Sequence, residues 1–223
     1  PVTIADREVE QLMRRRIAER FPQHGIVGEE EEARKGARYT WYLDPIDGTK
    51  SFISGMPLFG ALIALRDDVA DRIAFGMIDI PALDERWSGD GATCRFNGRP
   101  ARVSGCGSLR EAQVYTSSPD IFSAGEWAVF DCVSRRAAFR RFGGDCYLYG
   151  LLASGHCDLV IESSLKPFDF MALVPVVEGA GGCIRDWDGQ PLSPQSDGRV
   201  VAAASERLLL EALEAMQPQM SNA

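Results

Sequence analysis

Two aspartates flank a turn that can hold a divalent cation. Asp44 and Asp47 are separated only by Pro45 and Ile46. They follow an aromatic-rich stretch at residues 39–43, which predicts a strand that ends before the turn. Because the proline fixes the turn, both carboxylates and the Ile46 carbonyl can face one point beyond the strand. Oxygen ligands of this kind suit Mg²⁺, so the spacing predicts a metal site.

The two residues after this turn suit a phosphate group. Gly48 permits close approach of the backbone, and Thr49 offers a hydroxyl where a helix is expected to begin. Clustered carboxylates raise one another's pKa and resist ionisation unless a cation compensates. Bound Mg²⁺ ions would compensate and leave the site positive enough for a phosphate dianion. The pattern therefore indicates metal-dependent phosphate chemistry.

Each candidate segment also has a plainer interpretation. The acidic run at residues 29–32 is typical of a solvated surface, residues 44–49 are typical of a tight turn, and Asp169 suits a helix N-cap. Two other motifs do not match. Haloacid-dehalogenase-type phosphatases place one residue rather than two between their aspartates, and an EF-hand would need a carboxylate at position 46.

The composition limits the classes of partner and site. A net charge of −8 disfavours nucleic-acid and membrane-surface partners, because both need a basic face. Six cysteines without a CxxC pair and only two histidines argue against a disulfide framework, a zinc site and a His-based metal site. The cysteine usage suits a reducing cytoplasm. The longest apolar stretch, residues 56–65, is too short to span a bilayer.

Hydrophobic periodicity predicts the elements that position these residues. A helix is expected at residues 6–21, with Thr3 and Asp6 at its capped start. Its apolar face would comprise Val9, Leu12, Met13 and Ile17. Further strands are expected at residues 58–65, 73–80, 113–116, 159–162 and 200–203. Further helices are expected at residues 126–135, 146–154, 170–179 and 206–216. Pro175 should kink or split the third of these, and residues 84–105 suit surface hairpins and loops. The alternation predicts a layered α/β (α+β) fold.

Four motifs carry a family resemblance, and they follow one another along most of the chain. They are GEE at residues 28–30, WYLDPIDGT at residues 41–49, KPFD at residues 166–169 and EGAGG at residues 178–182. With these motifs the chain resembles the inositol monophosphatase superfamily, and the DPIDGT hexapeptide is the most specific part. The resemblance implies an α/β/α/β/α sandwich of the sugar-phosphatase type, Mg²⁺ dependence, and hydrolysis by a metal-activated water.

By position, the resemblance implies ligands for two or more Mg²⁺ ions. Glu29, Asp44 and the Ile46 carbonyl would bind the first ion. The second ion would be bound by Asp44, Asp47 and Asp169.

The same resemblance implies which residues act in catalysis. Glu29, Asp44 and Thr49 would be catalytic, with the Thr49 hydroxyl orienting the attacking water. The amides of Gly48 and Thr49 would hold the phosphate.

Three stretches resemble histidinol-phosphate phosphatases more than inositol phosphatases, namely residues 48–55, 141–147 and 165–169. Asp145 and Glu162 lie on segments that, in the superfamily, line the pocket for the non-phosphate part of the substrate. Two acidic groups there suit a substrate with an ammonium group, such as L-histidinol phosphate. Two plainer interpretations stay open, because Glu162 also suits sugar or inositol hydroxyls and Asp145 also suits a cap of the following helix.

The sequence thus predicts one catalytic unit over residues 1–223, with approximate halves at 1–110 and 111–223. Its substrate would be a small-molecule phosphate monoester, with L-histidinol phosphate favoured. The alternatives are an inositol, sugar or nucleotide phosphate phosphatase of the same superfamily, and a non-catalytic homologue that binds phosphorylated ligands. The resemblance implies a homodimer. Because the chain starts at Pro1, almost inside a helix, we expect a further helix to precede it in the natural protein.

Overall fold

The structure is a computed structural model that describes residues 2–220. Within that range the chain forms two sheets. The strands of the first, in spatial order, are β1 (Gly25–Gly28), β2 (Tyr39–Asp47), β3 (Gly60–Asp67), β4 (Arg72–Ile80), β5 (Glu85–Gly89), β6 (Cys94–Phe96) and β7 (Arg99–Pro100). The strands of the second, in chain order, are β8 (Gln113–Thr116), β9 (Phe139–Phe142), β10 (Leu159–Glu162), β11 (Cys183–Asp186) and β12 (Val200–Ala203), and their spatial order is β11-β12-β10-β8-β9.

Helices lie between and outside these sheets. They are α1 (Ile4–Arg20), α2 (Thr49–Ser54), α3 (Ala124–Ser134), α4 (Tyr147–Ala153), α5 (Pro167–Phe170), α6 (Leu173–Gly179) and α7 (Glu206–Met220). Helix α1 packs on β2 of the first sheet, α4 and α6 contact strands of both sheets, and α3 and α7 cover the outer face of the second sheet. The predicted α/β/α/β/α sandwich is confirmed. Among residues 2–220, no helix is long and apolar enough to cross a membrane.

The buried hydrophobic side chains form two clusters on either side of the second sheet. One fills the space between the sheets and includes Trp87, Leu148 and Phe170. The other lies under α3 and α7 and includes Phe130 and Trp187. Because the first cluster draws on both halves of the chain, the layer between the sheets is a core that the halves share.

Strand β2 runs further than the sequence predicts. The expectation that it stops before Pro45 is wrong, since it continues to Asp47. Its register with β3 shifts between Asp44 and Asp47, which marks a bulge or an irregularity in the pairing. A proline is tolerated at such a point because it need not donate a ladder hydrogen bond.

Two further expectations are corrected. The helix predicted at residues 170–179 does break, but at residues 171–172, between α5 and α6. Pro175 lies in the first turn of α6. Backbone N–H groups there have no intrahelical partner, so the N–H that proline lacks costs the helix no hydrogen bond. Residues 84–105 do form hairpins, because β5 pairs antiparallel with β6 and β6 with β7, but they are not wholly at the surface, since Trp87 on β5 is buried. Three strands were not predicted, namely β1, β9 and β11.

Helix α1 begins as predicted, but its buried face is more polar than predicted. The capping box between Thr3 and Asp6 is present. Of the predicted apolar face, Val9, Met13 and Ile17 are half-buried and Leu12 is 47% exposed, whereas the most buried residues of α1 are Asp6 and Glu10, each 0% exposed. Buried carboxylates need hydrogen-bond or charged partners, so this face of α1 serves a polar contact.

Candidate active site

Three carboxylates, here called the metal cluster, meet at the end of β2. Asp44, Asp47 and Asp169 each offer an oxygen within 4.8 Å of the others, and among the described residues they are the group able to hold a metal ion. Asp44 and Asp47 occupy the irregular end of β2, and Asp169 lies on α5. The structure therefore brings together three predicted metal ligands from two distant parts of the chain.

Each of these carboxylates accepts a backbone hydrogen bond, and each bond is local except that to Asp47. The Ile46 amide donates to Asp44 at 3.0 Å. The Lys166 amide donates to Asp169 at 2.7 Å, so Asp169 closes a capping box and is not itself the N-cap. The Cys146 amide, just before α4, donates to Asp47 at 2.6 Å. One amide each leaves most oxygen lone pairs of the cluster available for a cation.

Burial shifts the protonation of the metal cluster. It raises the pKa of Asp169 to about 6. It also raises the pKa of Asp44 well above its ordinary value, and the charges of Asp47 and Asp169 add to that shift. The pKa of Asp47 rises for the same first reason, followed by the charges of Asp145 and Asp169. The cluster is crowded with carboxylate oxygens that accept few hydrogen bonds. Carboxylate oxygens are the ligands that Mg²⁺ prefers.

Glu29 extends the metal cluster from the neighbouring strand. It follows β1 directly, and its carboxyl group is close enough to Asp44 to share a hydrogen bond. Partial burial, and then the charges of Asp169, Glu30 and Asp6, raise the pKa of Glu29 to about 7. Although Glu29 is more exposed than the other three residues, its carboxyl group interacts with those of Asp44 and Asp169.

The turn into α2 has the conformation that a glycine allows. Gly48 adopts φ 79°, and a Cβ there would lie 2.6 Å from the Asp145 carboxylate. A side chain at position 48 is therefore excluded both by the backbone conformation and by space. Thr49 begins α2, and its hydroxyl donates to the Ile46 carbonyl at 3.2 Å.

A cavity of about 170 Å³ joins the metal cluster to the predicted substrate residues. Its polar lining comprises Asp47, Asp169, Asp145, Glu162, Tyr149 and Ser117. Two predicted metal ligands and both predicted substrate residues thus face one cavity, although the cavity was not itself predicted.

Glu162, at the end of β10, is held firmly in this cavity. It is 2% exposed. Its Oε1 accepts hydrogen bonds from the Ser117 amide at 2.9 Å and from the Ser117 hydroxyl. Its Oε2 accepts one from the Tyr149 hydroxyl at 2.9 Å. Burial raises the pKa of Glu162 to about 7, against the lowering effect of these donors.

Asp145 lines the cavity beside the turn at Gly48. Its carboxylate accepts a hydrogen bond from the Ser51 hydroxyl at 2.8 Å, and burial raises its pKa. The plainer interpretation of Asp145 as a helix cap is wrong, because Cys146 is the N-cap of α4 and no side chain caps that helix. Its backbone has φ 46°, in the left-handed region.

Sequence reasoning missed three polar residues at or near the site. Ser117 follows β8, which pairs in parallel with β10, so the two predicted strands placed side by side would have brought Ser117 to Glu162. Tyr149 carries no local signal, because its role depends on where α4 packs. Asp6 was assigned only to capping, yet its charge also raises the pKa of Glu29 and Glu30, and its buried Oδ1 has no hydrogen-bond partner among the described residues.

The chain is similar to known phosphatases in both sequence and structure. The model of the inositol monophosphatase family matches residues 1–220. The bifunctional phosphatase IMPL2, chloroplastic, of Arabidopsis thaliana is 45% identical over 97% of this chain, which spans only 65% of that protein. A histidinol-phosphatase of Chlorobaculum parvum is 37% identical over 91% of this chain and 78% of its own. A solved structure of an inositol monophosphatase from Zymomonas mobilis has a TM-score of 0.90 at 44% identity, covering 97% of this chain and 88% of that one.

Proposed function

The chain belongs to the inositol monophosphatase family, and we propose that it is a Mg²⁺-dependent phosphatase whose substrate is L-histidinol phosphate. The observation that carries the proposal is the cavity in which Asp47 and Asp169 face Asp145 and Glu162. One end of this cavity suits cations and a phosphate, and the other suits a positively charged group on the leaving alcohol.

The metal part of the proposal is supported by the chemistry of the donor set. Glu29, Asp44, Asp47, Asp169 and the Ile46 carbonyl would hold two or more Mg²⁺ ions. When bound, Mg²⁺ supplies a Lewis acid that lowers the pKa of water and neutralises the phosphate. Buried carboxylates with raised pKa values are costly to ionise, and a divalent cation removes that cost.

Residues of the chain would then orient the attacking water and the phosphate. Thr49 would orient the attacking water, and the hydrogen bond from its hydroxyl to the Ile46 carbonyl supports this role. The amides of Gly48 and Thr49 would hold the phosphate, which the φ of 79° at Gly48 favours by turning the backbone at that point. Phosphate-monoester hydrolysis needs acceleration of up to roughly 10²¹-fold, so positioning and charge neutralisation must act together.

The substrate part is supported by the cavity wall and by relatives. Glu162 keeps one lone pair of Oε2 beyond the three donors it already has, and Asp145 keeps the oxygen that Ser51 does not bind. Both suit an ammonium donor. The histidinol-phosphatase of Chlorobaculum parvum is similar over most of this chain.

A second candidate is an inositol or sugar phosphatase. It is favoured by the similarity to the Zymomonas mobilis inositol monophosphatase and by the ability of Glu162 to accept hydrogen bonds from hydroxyl groups. The homodimer and the reducing compartment stay predictions. So does the division into halves near residue 110; residue 1 and residues 221–223 of that unit lie outside the described residues.

A phosphate-release panel tests this function. L-histidinol phosphate, inositol monophosphate, fructose bisphosphate and adenosine bisphosphate are compared by kcat/KM, with Mg²⁺ and with a chelator. We expect Mg²⁺-dependent release with the highest kcat/KM for L-histidinol phosphate. Preference for inositol monophosphate would favour the second candidate, and no release from any substrate would indicate a non-catalytic homologue.

A further inference from the structure

One of the carboxylates that α1 buries lies against the loop that carries Glu29. Glu10 is 0% exposed. Its Oε2 accepts a hydrogen bond from the Glu30 amide at 2.8 Å, and its Oε1 accepts one from the Glu31 amide at 3.2 Å. Arg14, one turn further along α1, donates its Nε to Glu10 Oε1 at 2.7 Å. The buried charge is thus matched by two amides and a guanidinium, which is a complete set of partners.

Arg14 binds the same loop with its remaining donors. Its guanidinium donates to the Glu31 carbonyl at 2.9 Å and to the Glu32 carbonyl at 3.2 Å. The side chain is 12% exposed, so water competes little for these bonds. Glu10 and Arg14, here called the loop clamp, therefore bind both N–H and C=O groups of residues 30–32. They restrain the loop mainly through its backbone, and Arg14 also lies 3.6 Å from the Glu31 carboxylate.

Gly28 joins the loop clamp to the strand that carries the metal cluster. A Cβ at Gly28 would lie 2.2 Å from Glu10 Oε1, so a side chain there would displace the carboxylate. Gly28 pairs with Leu43 in the parallel ladder of β1 and β2, and Leu43 immediately precedes Asp44. Glu29 is consequently fixed on one side by β2 and on the other by the amide that Glu10 binds.

We propose that Glu10 and Arg14 are positioning residues that hold Glu29 beside Asp44 and thereby set the affinity of the site for Mg²⁺. Without this restraint the loop would sample many positions, and Glu29 would lie within reach of Asp44 only part of the time. A ligand that is already in place loses less conformational entropy when the ion binds. The proposal rests on the proposed function, because it requires Glu29 to be a metal ligand.

Direct Mg²⁺ titration of the purified protein by calorimetry tests the loop clamp. Glu10→Gln keeps the shape of the side chain but removes its charge, and Arg14→Lys keeps the charge but removes the planar fork. Glu8→Gln and Arg15→Lys are matched controls on exposed positions of the same helix. Partners of metal ligands typically contribute about tenfold to a hundredfold in metal affinity. We expect Glu10→Gln to raise the Mg²⁺ Kd within that range and Arg14→Lys to raise it less, with both controls unchanged.

Melting temperature and kcat separate positioning from a purely structural role. We expect kcat at saturating Mg²⁺ to stay within about twofold of the unaltered protein in both clamp variants, because the ligands themselves remain. A lower melting temperature with an unchanged Mg²⁺ Kd would overturn the proposal, and if Glu10→Gln does not fold, Arg14→Lys decides by the same criterion. Failure of the unaltered protein to bind Mg²⁺ would instead overturn the proposed function, and the loop clamp's role with it.

Discussion

The cavity has two acidic regions that differ in how their charge is satisfied. In the metal cluster, Asp44 and Asp169 each accept one local backbone hydrogen bond while lying close to other carboxylates. At the other end, Glu162 accepts three hydrogen bonds from Ser117 and Tyr149. A cation would therefore stabilise the ionised form of the metal cluster, whereas three protein donors fix the orientation of Glu162 although burial raises its pKa to about 7.

Removing charge from the metal cluster should have the largest effect. We expect Asp44→Asn to reduce Mg²⁺-dependent turnover to background, because Asp44 lies at the centre of the carboxylates that would hold the ions. The same change should leave the fold intact and raise the melting temperature of the metal-free protein, since it relieves repulsion between buried charges. Turnover and melting temperature are measured side by side. Normal turnover by Asp44→Asn would end the two-metal proposal.

A change at Asp145, whose charge acts on both Asp47 and Glu162, should alter the choice of substrate instead. A charge-assisted hydrogen bond contributes roughly 1.5–3 kcal/mol, and each 1.4 kcal/mol is about tenfold. We expect Asp145→Asn to lower kcat/KM for L-histidinol phosphate by about ten- to a hundredfold and to leave an aryl phosphate almost unaffected. The ratio between the two substrates is the relevant quantity. An equal loss on both would make Asp145 a structural residue.

A smaller effect should follow from loosening Glu162 while keeping its charge. Tyr149→Phe removes the hydroxyl that donates to Glu162 Oε2. We expect a rise of up to about tenfold in KM for L-histidinol phosphate, with little change in kcat. Kinetics at saturating Mg²⁺ measure both quantities. Tyr147→Phe, on the same helix but outside the polar lining of the cavity, serves as the control. A fall in kcat for every phosphate ester would show that Tyr149 supports the metal cluster instead.

The subtlest effect concerns stability and pH. In the metal-free protein, carboxyl groups with raised pKa values favour the folded state while they are protonated. That contribution is lost as pH rises through about 6 for Asp169 and about 7 for Glu29. We therefore expect the melting temperature without Mg²⁺ to fall between about pH 5 and about pH 8, and the fall to shrink when Mg²⁺ is saturating. Thermal unfolding at a series of pH values measures both curves. If the melting temperature fell equally with and without Mg²⁺, the ion would not be stabilising the ionised metal cluster.

The sequence predicted the metal cluster more completely than the hydrogen-bond partners of Glu162, and the reason is physical. Asp44, Ile46 and Asp47 lie within four consecutive residues, so a local motif defines their relation. Asp169 joined them only through the family resemblance. Ser117 and Tyr149 meet Glu162 because β8 pairs with β10 and α4 packs between the sheets, and these are tertiary relations that no local pattern encodes.

The helices and strands were likewise predicted well where the signal is local and less well where tertiary contacts decide. Strands β8, β10 and β12 have the predicted bounds, because their apolar runs are short and well delimited. The extension of β2 to Asp47 was missed because a proline normally ends a strand, and only the irregular pairing with β3 allows it to stay. The buried carboxylates of α1 were missed because periodicity identifies only apolar positions, whereas the partner of Glu10 is the backbone of the loop that follows Glu29.

The most direct test of the division between the two regions uses one enzyme and a matched pair of substrates. L-histidinol phosphate is compared with its analogue that lacks the amino group, under saturating Mg²⁺, by kcat/KM of the unaltered protein. Both substrates present the same phosphate and imidazole, so the metal cluster treats them alike and only the wall with Asp145 and Glu162 distinguishes them. We predict a preference of about ten- to a hundredfold for the substrate with the amino group. Equal kcat/KM values for the two substrates would contradict the account.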